Sequence, residues 1–342
     1  MVSRTTQLGG TASDVTVGKI GHGLMLMTWK EVPTPDEECF EAIMAGIDSL
    51  PAGVKMVLNS GEFYGHNLST ANLDMLARFF TKYPDYADKT FLSVKGGLKP
   101  QSFEPDASLD NLRRSVDAIN AALKGTKQLD LFEMARVDRK ITVEEAVKNM
   151  IVLIKEGKFS HIGMSECRAE TLRRANSVHP ITAVEIEVSP WAYEEEQKKV
   201  IAAAQELNIT VAAYSPLGRG FLTGQIKSLD DIPEGDMRRH FGRFQPHNFE
   251  HNLALVKDLS AVAERKKVSP AQLCIAWVAQ LAPQMISIPG SSHKKRTLEN
   301  LSAVQVDLSE QEMEEIGKIL ASHEIKGKRY QDVPDEVLNL WG

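Results

Sequence analysis

An alternation of two patterns restricts the fold of this chain more than any other feature. Short apolar runs rich in β-branched residues alternate with longer amphipathic runs of helical pattern. "KMVLN" precedes a helical pattern over 69–83, "TFLSVK" one over 108–123, "LDLFEMA" one over 142–156, "FSHIGMS" one over 168–178, and "ITAVEIEV" one over 194–207. "ITVAAYS" and "MISIP" close the series and "IGHGLMLMT" opens it, giving eight strand candidates. Mostly apolar strands of this length suit a parallel sheet buried on both faces. Alternating β and α elements give an α/β fold, and eight units match a single-domain (β/α)8 TIM barrel. The other arrangement is a doubly wound sheet with an extra domain. It usually carries a glycine-rich fingerprint after its first strand. "GKIGHGLM" holds Gly18, Gly21 and Gly23 at another spacing, with no helix directly after them.

Helix punctuation agrees. Pro270 follows Ser269 at a helix start, and Thr142 with Glu145, like Ser309 with Glu312, reads as a capping box. One barrel domain over residues 1–342 is expected, with a long irregular loop at about 217–250 and a C-terminal tail. A loop that long inside a compact domain is usually functional or disordered. It carries Arg219, Arg238, Arg239 and Arg243, which read either as a phosphate clamp or as a solvated surface excursion.

Composition narrows the function classes. The net charge of -6 over 342 residues argues against a nucleic-acid footprint across the surface, so an anionic ligand needs a local basic patch. Cys39, Cys167 and Cys274 are too few and scattered for a disulfide framework or a zinc site, and no metal is expected. No run approaches the roughly 20 apolar residues of a membrane span, and "MVSRTTQLGG" lacks the apolar core of a signal peptide. A cytoplasmic protein without nucleic-acid or membrane partners is expected. The sequence sets no oligomeric state, and a monomer is compatible with it.

In such a barrel the active site lies at the C-terminal ends of the strands. Standing there are Asn59 and Tyr64; Lys95; Glu133, Ala135 and Arg136; Ser165 and Glu166; Glu185 and Glu187; Tyr214 and Ser215; and Pro289 and Gly290. Tyr64 alone reads as a ring packed on a turn, and Lys95 alone as a solvated strand end. On neighbouring strands at one rim they suggest more. A cation beside a phenol favours the phenolate and lowers its pKa from about 10, which tunes a tyrosine for proton transfer.

Several of these stretches also carry a resemblance over nearly the whole chain. "LNSGEFYG", "VKGG", "ARVD", "IGMSE", "EIEVSP", "AYSPLGRGFLTG" and "IPGSSHKKRTLEN" resemble the landmarks of the aldo-keto reductase superfamily. "LNSGEFYG", "FLSVKGGL" and "LDLFEMARVD" are most similar to its fungal pyridoxal reductases. The resemblance implies a (β/α)8 barrel that reduces an aldehyde with NADPH, with pyridoxal, converted to pyridoxine, as the foremost substrate. It puts the proton-donating tyrosine at Tyr64, its lysine partner at Lys95, and Asn59 beside them. The nicotinamide would stack on Tyr214, its carboxamide near Ser165, Glu166 and Glu185, and the pyrophosphate near Ser215, Leu217 and Arg219. Gly23, Leu24, Met25, Pro289, Gly290 and Ser291 would line the cofactor. Arg296 would grip the 2'-phosphate, as a guanidinium does with two parallel hydrogen bonds, with Glu299 and Asn300 at the adenine. Trp29, Phe63, Ala135 and Arg136 are the substrate-wall candidates.

The chain also departs from the family pattern. Asn59 stands where the family has an aspartate, Ala135 where it has a histidine, and Glu166 and Glu185 where it has amides. The first change removes a negative partner expected for Lys95, and the second a group that orients the carbonyl oxygen. An ionised glutamate accepts from the carboxamide nitrogen but cannot donate to its oxygen. Two other readings stay open: a nucleotide-binding regulatory or redox-sensing protein with little catalysis, and a reductase of another aromatic aldehyde.

Overall fold

The computed structural model describes residues 5–330 and 334–342. Strands β1 (Thr5–Gln7) and β2 (Thr16–Gly18) form a small antiparallel hairpin. Then follow β3 (His22–Gly23), β4 (Met56–Gly61), β5 (Thr90–Gly96), β6 (Leu131–Met134), β7 (His161–Ser165), β8 (Ala183–Glu187), β9 (Thr210–Tyr214) and β10 (Met285–Ser287), parallel neighbours in strict sequence order. The sheet closes on itself. Ile20 bridges Ser287 and Gly23 bridges Gly290, with Gly21 N–H donating to the Ser287 carbonyl at 2.8 Å. Sequential order with closure is a barrel and excludes a doubly wound sheet.

A helical turn, α1 (Met25–Thr28), follows β3. Around the barrel run α2 (Asp36–Asp48), α3 (Ala71–Lys82), α4 (Leu109–Leu123), α5 (Val143–Lys155), α6 (Ala169–Val178) and α7 (Glu195–Glu206). Helices α8 (Pro246–Lys266) and α9 (Pro270–Gln280) lie between β9 and β10, and α10 (Lys294–Ser302) and α11 (Glu310–Ser322) follow β10. The caps explain several boundaries. Ser269 with Gln272 and Ser309 with Glu312 form full capping boxes at α9 and α11, each satisfying amides that a helix start leaves open. At α5 only half of the expected box forms, the Thr142 hydroxyl accepting from the Glu145 N–H.

Every residue of β4 and β5 is buried, as in a sheet covered on both sides. The outer core packs strand residues such as Phe132 and Met164 against helix residues such as Phe79 and Trp277. A separate inner core of Val57, Phe91, Leu131 and Ile286 fills the barrel floor, where the hairpin seats Leu8 and Val17. The hairpin passes so close that a Cβ on Gly9 would lie 2.2 Å from the Asn208 carbonyl oxygen.

Two expectations change. "IGHGLMLMT" forms strand only at its front, because from Met25 the chain coils into α1, Trp29 N–H donating to the Met25 carbonyl. The segment over 217–250 is built of short 3₁₀ turns and gives way to α8 at Pro246. Its arginines mostly hold the loop itself. Arg239 donates to the Leu229 and Ile232 carbonyls, Arg238 to Asp236 and the Arg219 carbonyl, and buried Arg243 to the Trp191 carbonyl. Among the described residues no helix is long and apolar enough to cross a membrane.

Candidate active site

Side chains alternate in and out along a strand, so parallel register stacks the inner residues in tiers. Val57, Phe91 and Leu131 line the apolar floor, and Asn59, Ser93 and Glu133 stand one step higher on the same strands. Lys95 is one step higher again on β5, opposite Glu133 in register. Polar groups inside a barrel must satisfy one another, and these do. The Lys95 ammonium donates to Glu185 Oε1 and Oε2 at 2.9 and 2.7 Å and to Asn59 Oδ1 at 2.9 Å. The Asn59 amide donates to Glu185 Oε2 at 2.6 Å. Glu133 lies 3.7 Å from the ammonium and accepts from the Ser93 hydroxyl. Lys95 therefore has a negative partner after all. It comes from β8 across the barrel and not from the position of Asn59.

Burial pulls the Lys95 ammonium toward neutrality, but Glu185, with Tyr64 and Glu133, outweighs it and raises the group above 10.5. Burial and then Glu185 push the Glu133 carboxyl well above its usual range against the pull of Lys95.

Tyr64 sits directly above this cluster, its ring centroid 5.3 Å from Lys95 Nζ. Gly61 makes the pose possible, since a Cβ there would lie 2.8 Å from the Tyr64 ring. Its loop is pinned by a chain of side chains. Ser60 donates to Asn72 Oδ1, Asn72 Nδ2 donates to the Thr28 hydroxyl, and Thr28 donates to the Tyr64 carbonyl at 2.6 Å. Sequence reading missed buried Asn72, which looked like one more polar residue at the start of α3. The expected depression of the phenol is not the outcome. Lys95 does pull the phenol down, but burial outweighs it, Glu185 adds to the rise, and the group is pushed up to about 12.

An aromatic wall stands beside the phenol. Trp29 stacks on Tyr64 at 5.5 Å and meets Phe63 edge-on at 5.8 Å. Phe103, from the loop after β5, stacks on Trp29 at 6.2 Å and is 60 % exposed. The sequence signal for Phe103 was only an aromatic in a rim loop. Ala135 is buried at the end of β6, its N–H on the Gly96 carbonyl. Arg136 turns to main-chain carbonyls. It donates to the Ala135 carbonyl and to the Leu338 carbonyl of the C-terminal tail.

On the far rim the tail makes a second network, invisible in the sequence. Arg329 donates to Glu187 at 2.8 Å, to both Glu166 oxygens at 2.9 and 3.2 Å, and to the Tyr214 hydroxyl at 2.8 Å. Tyr214 itself donates to Glu166 at 2.6 Å. Burial pushes the Glu166 and Glu187 carboxyls up, but Arg329 outweighs it, aided by Arg136 on the first and by Arg219 and Arg243 on the second. Both are held below the ordinary 4.5. Arg219 lies between the rings of Phe241 and Tyr330, with its guanidinium carbon 4.2 and 4.5 Å from their centroids. Glu166, Ser215 and Arg219 all adopt positive φ, near 50° to 58°, a strain that concentrates at functional sites. Ser165 ends β7 buried in register with Glu185, and Leu217 starts the loop that carries Arg219.

The remaining candidates gather where the barrel closes. Gly23 N–H donates to the Pro289 carbonyl, Leu24 N–H to the Asn59 carbonyl, and Met25 is partly exposed. Gly290 is exposed, and the Ser291 carbonyl accepts from buried His22 at 2.7 Å. Lys294, Lys295 and Arg296 stand exposed in the first turn of α10, where the helix dipole adds to an anion site. Among the described residues the Asn300 amide nitrogen and the Thr297 hydroxyl are buried without partners, while Glu299 accepts from Ser269. Unpartnered buried donors beside exposed cations fit a phosphorylated nucleotide at this end. At the other end Glu166, Tyr214 and Arg219 are engaged by Arg329 and Tyr330.

The chain is 36% identical over 329 residues to the probable pyridoxal reductase 2 of Schizosaccharomyces pombe, covering 95% of this chain and 98% of that protein. It is 35% identical over 320 residues to the aldo-keto reductase yakc [NADP(+)] of the same organism, covering 92% of each. Its backbone matches a glycerol dehydrogenase from Gluconobacter oxydans with a TM-score of 0.81 at 22% identity, over 96% of this chain and 98% of that one. Residues 19–321 match the aldo/keto reductase family model, and the chain belongs to that family.

Proposed function

We propose that the protein reduces an aldehyde with NADPH, and that the aldehyde is pyridoxal, yielding pyridoxine. The observation that carries the reading is the buried Tyr64 phenol over the Lys95 ammonium, facing the Trp29–Phe63–Phe103 wall. A reduced nicotinamide supplies a hydride to the carbonyl carbon. The protein's part is the proton. At neutral pH the Tyr64 phenol keeps its proton, and the alkoxide formed by hydride addition is a much stronger base than a phenolate. Transfer is therefore downhill, and the phenolate left behind faces the Lys95 charge, a preorganised electrostatic stabiliser. The aromatic wall suits a flat ring aldehyde. Ala135 leaves the carbonyl oxygen to Tyr64. Arg296, Lys294 and Asn300 would hold the phosphate and adenine end of the cofactor, and Tyr214 the nicotinamide end. The names of the relatives, a probable pyridoxal reductase and an NADP(+) reductase, support the substrate and the cofactor.

The test is purified protein with NADPH or NADH and a panel of pyridoxal, benzaldehyde and a short aliphatic aldehyde, followed at the nicotinamide absorbance. The reading expects turnover with pyridoxal and a preference for NADPH. Cofactor binding without turnover on any aldehyde would favour the regulatory alternative.

A further inference from the structure

Proton donation alone does not explain the inner tier, where two buried glutamates converge on a single lysine with an asparagine between them. The ammonium's three donors are all used, two on Glu185 and one on Asn59. The Asn59 amide faces both ways, its oxygen on Lys95 and its nitrogen on Glu185. An aspartate in place of Asn59 would crowd a third carboxyl against one cation.

We infer that Glu185 is the positioning residue of this site: it keeps the Lys95 ammonium charged and aimed at Tyr64, with Asn59 as the neutral link. The inference rests on reading Tyr64 as the proton donor. The groups facing Lys95 are Asn59 on β4, Tyr64 on the loop after it, Glu133 on β6 and Glu185 on β8. Glu133 is the more distant carboxyl, 3.7 Å from the ammonium against 2.7 Å for Glu185. Both Glu185 oxygens are taken within the cluster, so its task is toward Lys95 and not toward the cofactor's carboxamide.

The test is an exchange of charge between two strands. Glu185→Gln keeps the shape and removes the negative partner. Its kcat for pyridoxal should fall roughly ten- to hundred-fold, the worth of one charge-assisted contact. The alkaline limb of its kcat profile should move to lower pH, since Lys95 then loses its charge more easily. The NADPH dissociation constant should stay within a few-fold of wild type. The double variant Asn59→Asp/Glu185→Gln returns one carboxylate to the ammonium and should recover both kcat and the alkaline limb. If Glu185→Gln fails to fold, the double variant must still fold and turn over, and its failure would overturn the inference. Unchanged kcat in Glu185→Gln, or weakened NADPH binding that the exchange does not repair, overturns it too. Tyr64→Phe runs alongside. If that variant turns over like wild type, it is the proton-donor reading that fails.

Discussion

Arg329 offers the sharpest prediction about how the tail is held. Arg329→Met removes a guanidinium whose side chain is only 6% exposed and which serves Glu166 and Glu187, both essentially buried. Removing one partner of a buried ion pair costs about 3–5 kcal/mol, because the other charge stays behind. Two features moderate the loss here. Arg219 remains 3.9 Å from Glu187, and Arg136 still acts on Glu166. The low end, about 3 kcal/mol at neutral pH, is the expected value. Its sign with pH follows from the carboxyls. Both are depressed in the folded protein, so their contribution is present above their ordinary 4.5 and is lost as pH falls through the folded values. The substitution removes that contribution, so the gap between variant and wild type is widest at neutral pH and closes on acidification. Urea unfolding of both proteins across this range measures it. A gap below about 1 kcal/mol at neutral pH, the level of an exposed pair, or one that does not close in acid, would refute the account of the tail.

Arg296→Ala should weaken NADPH by roughly 1.5–3 kcal/mol, a charge-assisted contact, and leave NADH nearly unchanged; equal weakening of both would mean that Arg296 does not read the phosphate. Burial lowers the His22 imidazole to about 4 from 6.5, so charging it costs the folded state about 3 kcal/mol as pH falls from above 6.5 toward 4. His22→Gln can still donate to the Ser291 carbonyl without titrating, and should flatten that acid limb; an equally steep limb would show that other groups set it. Ala135→His, at a position only 2% exposed, should lower kcat/KM for pyridoxal by crowding while sparing a small aliphatic aldehyde. Improvement for both would mean that the missing histidine was simply a loss.

Much of the frame was legible because its signals are local. The five helical patterns over 69–207 coincide with α3 to α7 to within their caps, since amphipathic period and capping residues act over a turn or two. Strand ends were legible for the same reason, and they put Tyr64 and Lys95 at one rim. What escaped was set by contacts across the barrel. Alternation tells that Glu185 points inward, but not that it meets Lys95, 90 residues earlier in the chain. The net effect on Tyr64 also escaped, because a lysine's pull is visible in sequence and the depth of burial opposing it is not. Arg329 lies in a tail without periodicity, and the hairpin around "TTQLGG" is too short to show any. The arginines over 217–250 were visible as charges, yet their partners are largely main-chain carbonyls, with two rings at Arg219 and Asp236 at Arg238, and a sequence does not display these pairings.

The central claim is that Tyr64 gives the proton to an aldehyde. The most direct measurement compares wild type and Tyr64→Phe in single-turnover reduction of pyridoxal by bound NADPH, with cofactor affinity determined separately. The ring and its stacking on Trp29 survive the change, so NADPH should bind as before while the reduction slows by about 10²–10⁴-fold, the worth of a positioned general acid. An unchanged rate in Tyr64→Phe would contradict the account.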